Sequence, residues 1–306
     1  MDKITLDRLC GCAVGAAIGD ALGMPLEFGP PSPADKLVRS MLSGSLPAGS
    51  FTDDTEMALA LAESLLAHRP LDGADLAQRF VSWYRHPPAD VGIQTTQVLS
   101  RIARGESWQA AEGWALANRP DSAGNGSLMR CWPAALSWWN DRPQLVNDSR
   151  LQSRLTHPHP ECVAGCIFVN WMIAEMVTGA APGQAFESAK QALSLPDGMR
   201  QAVITAPTRR REELPNTGWV RHTLESALWG LLTTNSFEEA LVQVVNLGAD
   251  ADTTGSVTGA LAGAAYGLEA IPLVWRQQLR GEWPLGSQNI WSEGDFIELA
   301  GQLAMK

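Results

Sequence analysis

The 306-residue chain has no excess of basic residues: 23 Lys and Arg stand against 33 Asp and Glu, a net charge of −10. Nucleic-acid binding needs clustered cations to neutralise phosphates, so that class is excluded. Soft metal sites are missing too. The five cysteines (Cys10, Cys12, Cys131, Cys162, Cys166) are odd in number and lack zinc-type pairing. Cys162 and Cys166 lie one helical turn apart among apolar neighbours, which predicts buried free thiols. No Ser-His-Asp or Cys-His pattern offers a nucleophile system. Alternating strand patterns, Gly/Ser linkers and low-complexity tails are absent. The apolar stretch over residues 9–19 is ended by Asp20 well short of a membrane span, and the charges before it (Asp2, Lys3, Asp7, Arg8) cancel. The expected compartment is the cytoplasm, with neither nucleic acid nor membrane as partner.

What is present is helical periodicity. It runs over residues 56–66, 74–84, 91–104, 108–117, 161–177, 185–193, 224–232 and 237–247. The turn signals Pro30-Pro31, His86-Pro87-Pro88, Arg119-Pro120-Asp121 and His157-Pro158 are spaced as short loops between helices. One all-α domain over residues 1–306 is predicted. The 12 tryptophans fall mostly at helical spacing and read as core; Trp138-Trp139 need be no ligand platform.

Two glycine series go beyond ordinary helix patterning. Gly11, Gly15, Gly19 and Gly23 recur every fourth residue, as do Gly255, Gly259, Gly263 and Gly267. Each glycine costs a helix about 0.5–1 kcal/mol relative to alanine, so two such stripes need a reason. Spacing of four makes one smooth face that lets another backbone approach closely. The striped helices pack on each other or on other helices. If they pair antiparallel, Glu27, just beyond the first, comes beside Asp250 and Asp252, at the start of the second.

Two carboxylate clusters each run into a helical pattern: Thr52-Asp53-Asp54-Thr55-Glu56 and Asp250-Ala251-Asp252-Thr253-Thr254. Helix starts favour ionised acids. Asp53 and Glu56 have capping-box spacing, and Asp250 could be an N-cap with Gly248 closing the helix before it. A cap needs one acid, however, and these clusters hold several hard oxygen ligands, the set for Mg²⁺ or Mn²⁺. Asp250 and Asp252 can face one ion if the chain between them is extended. Gly124-Asn125-Gly126-Ser127 precedes an apolar run over 128–139; it reads equally as an anion cradle at a helix start or as a plain loop. His159 reads as structural. Glu27 follows Pro25 in a segment expected to be a mobile loop.

These segments together resemble the ADP-ribosylglycohydrolase family, whose members include enzymes that remove ADP-ribose from arginine or serine. The matching stretches are residues 15–23 with Glu27, 51–55, Asp90-Val91-Gly92-Ile93-Gln94-Thr95-Thr96, 124–130, Thr156-His157-Pro158 and 248–255, in the family's order. The resemblance implies an all-α fold around a binuclear Mg²⁺ or Mn²⁺ centre. Its ligands would be Thr52, Asp53, Asp54, Asp250, Asp252 and Thr253, with Asp252 between the ions. It further implies Glu27 as a gate or acid/base group, Gly124, Asn125, Gly126 and Ser127 as a diphosphate cradle, and His157 as a nucleotide contact. Asp121 is a candidate proton donor by its nearness to that turn. The stretch over 122–130 is closer to the arginine-directed, nitrogenase-regulating branch than to the serine-directed one. Three classes follow: a hydrolase of ADP-ribosylated protein, a hydrolase of small ADP-ribose conjugates, and a non-catalytic ADP-ribose-binding relative. Retention of every implied ligand weighs against the last.

Overall fold

A computed structural model describes residues 1–86 and 88–305, so Pro87 of the His86-Pro87-Pro88 turn lies outside the described residues. The first half of the chain forms α1 (Lys3–Gly23), α2 (Asp53–Ala67), α3 (Gly73–Arg85), α4 (Ile93–Ala103), α5 (Trp108–Asn118), α6 (Trp132–Ser137) and α7 (Arg142–Thr156). The second half forms α8 (Pro160–Val177), α9 (Pro182–Ala192), α10 (Asp197–Thr205), α11 (Val220–Thr233), α12 (Phe237–Val245), α13 (Ala251–Tyr266), α14 (Leu273–Gln278) and α15 (Glu293–Met305). Among the described residues, sheet is limited to one antiparallel pair, β1 (Gly281–Glu282) and β2 (Ile290–Trp291).

Local chemistry sets several helix starts. Asp72 accepts from the Ala74 and Asp75 amides to open α3. Ser107, Asp141 and Ser236 cap α5, α7 and α12 in the same way. His159 caps α8, its ring accepting from the Glu161 amide, which is the structural role expected of it. One hydrophobic core, running in sequence from Leu9 to Leu303, gathers these helices into a single domain. All five cysteines are free and buried.

At its centre the two glycine stripes meet. Gly11 faces Gly263, Gly15 faces Gly259, Gly19 faces Gly255, and Gly23 faces the Ala251–Asp252 backbone. The pairing is antiparallel, and α1 and α13 touch backbone to backbone along their length. A Cβ on any of these residues would overlap the carbonyl oxygen opposite. Asp20 does not end α1, which continues to Gly23. Two segments, Lys3–Leu26 and Pro160–Val177, are therefore long and apolar enough to cross a membrane, yet 89% and 72% of their apolar windows are buried inside the fold. Their composition is that of core helices.

The packing predicts opposite signs for one substitution at two sites. Gly19→Ala should destabilise by about 1–3 kcal/mol, because overpacking outweighs helix propensity. Gly113→Ala, on the exposed face of α5 where an added methyl meets open space, should stabilise by about 0.5–1 kcal/mol. Thermal or denaturant unfolding of the two variants checks both signs.

Candidate active site

Antiparallel pairing sets the C-terminal end of α1 beside the N-terminal end of α13. The chain leaves α1 through a 3₁₀ turn, Met24–Leu26, and reaches Glu27, whose amide donates to Met24 O. Glu27 thus closes a turn of 3₁₀ helix. The next residues clasp the approach to α13: the Phe28 amide donates to Ala249 O (2.6 Å) and the Ala249 amide donates to Gly29 O (2.8 Å). Phe28 and Ala249 both take left-handed backbone, with φ of 59° and 52°. Carboxylate oxygens of Glu27, Asp250 and Asp252 come within 4.8 Å of one another.

Asp250 is the N-cap of α13 and Asp252 lies in its first turn, so the segment is a helix start and not an extended strand. Asp250 Oδ2 accepts from Asn125 Nδ2 (2.7 Å), which also donates to Thr223 Oγ1. Asn216 holds the loop before α13, donating to Gly248 O and accepting from Thr254 Oγ1. Gly248 takes positive φ (69°) in that loop, three residues past the end of α12.

The other half of the site is the start of α2. Thr52 holds the N-cap position, but its side chain does not cap. The cap comes from α1: Asp20 Oδ2 accepts from the Thr52 and Thr55 amides, and its carboxylate also accepts from both threonine hydroxyls. Asp20 is fully buried, and burial pushes it up to about 6 despite these four bonds. This residue was missed as a site element, because nothing local marks a cap supplied from another helix. Asp53 and Asp54 are thereby released from capping and line the cleft. Glu56 does not close a capping box; it turns away and accepts from Trp83 Nε1 (2.6 Å). Thr253 Oγ1 donates to Asp54 Oδ2 (3.3 Å), joining the two halves, and the Thr253 amide donates to Asp252 Oδ1.

The cleft has a volume of about 780 Å³. Glu27, Asp53, Asp54, Asp250 and Asp252 all line it, as do Gly124, Asn125, Gly126 and His157. Burial pushes every one of the five carboxyls up. Asp90 and Asp250 then add to the shift of Glu27, which reaches about 7, and Asp252 adds to that of Asp54. Asp54 Oδ1 is buried with no hydrogen-bond partner among the described residues. A bare acceptor in a crowd of carboxylates is what a hard divalent cation would satisfy, so the donor set fits Mg²⁺ or Mn²⁺.

Three expected positions differ. Ser127 does not line the cleft; it is fully buried and its hydroxyl meets Ser153 Oγ (2.9 Å). The glycine turn does not open onto a helix either: residues 126–130 are a succession of turns and α6 begins only at Trp132, so helix-start amides are not what Gly124 and Gly126 offer. Asp121 is exposed outside the cleft, while its neighbours Arg119 and Ser122 line it. Conversely, Asp90 lines the cleft as a sixth carboxylate. It opens one of the matched stretches, which was the signal available for it.

The fold is thus almost wholly helical around an oxygen-lined acidic cleft. The chain belongs to the ADP-ribosylglycohydrolase family, whose model matches residues 1–306. It is 35% identical to an ADP-ribosylarginine hydrolase Tri1 of Serratia proteamaculans, over 90% of this chain and 76% of that one. It is 34% identical to the ADP-ribosyl-[dinitrogen reductase] glycohydrolase of Rhodospirillum rubrum, over 89% and 90%. A solved ADP-ribosylglycohydrolase-related protein complex superposes with a TM-score of 0.83, at 35% identity over 99% of both chains. The chain is accordingly a hydrolase of the glycohydrolase type.

Asp20→Asn should place an amide where two backbone amides and two hydroxyls now donate. The expected loss is about 1.5–3 kcal/mol, the range for hydrogen bonds to a charged group. Unfolding of this variant against wild type measures it; unchanged stability would dismiss the trans-cap.

Proposed function

We propose that the protein is a metal-dependent hydrolase that removes ADP-ribose from ADP-ribosylated protein, with arginine as the linked side chain. The observation that carries this reading is that five buried or half-buried carboxylates, drawn from distant parts of the chain, line one cleft, with one oxygen of Asp54 lacking a hydrogen-bond partner among the described residues. Thr52, Asp53, Asp54, Asp250, Asp252 and Thr253 would hold two ions, Mg²⁺ or Mn²⁺. Thr52 gives its proton to Asp20 Oδ1, which leaves its oxygen lone pairs for a cation. Bound there, the ions supply Lewis acidity and a water of lowered pKa.

The remaining roles fall to side chains. Glu27, outside the expected ligand set yet with its carboxylate within 4.8 Å of those of Asp250 and Asp252, suits general acid–base work at the sugar's anomeric carbon. Gly124 and Gly126 line the cleft with His157, and a side chain at Gly126 would run into the His157 ring, so glycine there lets ring and turn form one wall against which a diphosphate would lie. Arginine is favoured by the names of the two relatives above. Asp90 supports it independently. Its carboxylate is exposed in the cleft, forms no salt bridge among the described residues, and offers a guanidinium leaving group the charge it pairs with.

Release of ADP-ribose from arginine-, serine- and acetyl-linked conjugates, with and without Mg²⁺ or Mn²⁺, tests linkage and metal together. Arginine-linked protein should be hydrolysed fastest, and EDTA should abolish turnover. Preference for a free acetyl conjugate would move the assignment to small-molecule hydrolysis. Binding of the ion should also raise the melting temperature, by about 2.7 kcal/mol of stabilisation at a hundredfold excess over Kd. No thermal shift with either ion would count against the centre.

Two substitutions separate the roles. Asp252→Asn should abolish hydrolysis with helical content intact. Glu27→Gln should lower kcat by about 10²–10⁴-fold while ADP-ribose affinity is largely kept. Normal turnover in both would remove the mechanism.

A further inference from the structure

Arg130 is fully buried and forms no salt bridge among the described residues. Its guanidinium lies 4.4 Å over the Phe80 ring. Nε donates to Gln152 Oε1 (3.1 Å), and Nη2 donates to Gln152 O (2.9 Å) and to Thr156 Oγ1 (2.7 Å). Burial lowers it only to about 10, so it is a cation at neutral pH. A buried charge without a counter-charge is costly, so what it does to its neighbours calls for an account.

The third of these bonds has a directional consequence. A guanidinium only donates, so Thr156 Oγ1 accepts from it. The hydroxyl keeps one proton to give, and its other partner is His157 Nδ1 at 2.8 Å. Were Nδ1 to carry the ring proton instead, the buried hydroxyl proton would lose its acceptor. Burial, and then the Arg130 charge, hold the ring down at about 3, which makes it neutral. The single ring proton therefore belongs on Nε2.

Nε2 is also the nitrogen that faces the glycine turn. A methyl carbon on Gly126 would stand 3.1 Å from it and one on Gly124 would stand 3.5 Å away. We propose that Arg130 and Thr156 are positioning residues that lock His157 as its Nε2–H tautomer, so that an N–H donor, not a lone pair, meets an anionic oxygen lying against Gly124 and Gly126. The other tautomer would aim a lone pair at that oxygen and repel it. The anion is a diphosphate; taking it as that of an ADP-ribosyl group rests on the function proposed above.

Ring ¹⁵N NMR of ¹⁵N-histidine protein at pH 7 reads the tautomer directly, with His157→Gln assigning the signal. Wild type and Thr156→Ser should show the Nε2–H pattern, and Thr156→Val a mixture of tautomers. ADP-ribose titration calorimetry should give about tenfold weaker binding for Thr156→Val, and near wild-type binding for Thr156→Ser. A lost charge-assisted hydrogen bond accounts for a change of that size. An Nδ1–H or imidazolium pattern in wild type overturns the proposal, whether or not Thr156→Val folds. So does equal ADP-ribose affinity in the valine and serine variants. An Nε2–H pattern in a wild-type protein that fails to bind ADP-ribose upholds the tautomer lock and removes the ADP-ribosyl reading instead.

Discussion

The close approach of the α1 and α13 backbones, with nothing but hydrogen between them at the glycines, is the constraint from which the rest of the molecule is laid out. Longer side chains would push these helices apart, and the residues that flank the seam would no longer meet. Dispersion across so short a gap offsets the helix propensity that glycine sacrifices. The seam is antiparallel, so it fixes which helix ends are neighbours. Glu27 and Asp20 leave one end of it, and Asp250 and Asp252 enter there from the other helix.

That placement creates an electrostatic problem, which the backbone partly answers. Two helices, α2 and α13, begin at the cleft, and their unpaired amide ends are favourable for negative charge. Asp20 deepens the answer by taking over the capping of α2 from behind, so that Asp53 and Asp54 need not turn back on their own helix. Behind the glycine turn the management is opposite in kind. There burial, and then the charge of Arg130, hold His157 neutral, and the Thr156 hydroxyl carries the orientation.

Much of this was legible in the sequence because it is written in short patterns. The four-residue glycine period pointed to a close-packed helix pair, and the clustered acids at helix starts pointed to the cleft floor. The expected helices match the observed ones to within a few residues in most cases. What escaped reading depends on partners remote in sequence. Asp20 is a cap only because α2 begins beside it. Ser127 sits in a glycine-rich turn like its neighbours, yet the turn rotates it onto Ser153 and out of the cleft. Asp121 and Asp90 are both acids in loops, and nothing in their local sequence tells that Asp90 lines the cavity while Asp121 does not.

The seam joins residues near the start of the chain to residues beyond 250, so its two halves are synthesised far apart in time. Closing a loop of that length is slow, because its entropy must be surrendered before any interaction forms in return. Until α13 emerges, α1 presents a glycine-lined face with no partner, smooth enough to admit other helices in its place. A nascent chain thus carries this packing surface uncovered until α13 has been made, and interruption before residue 251 strands it in that condition.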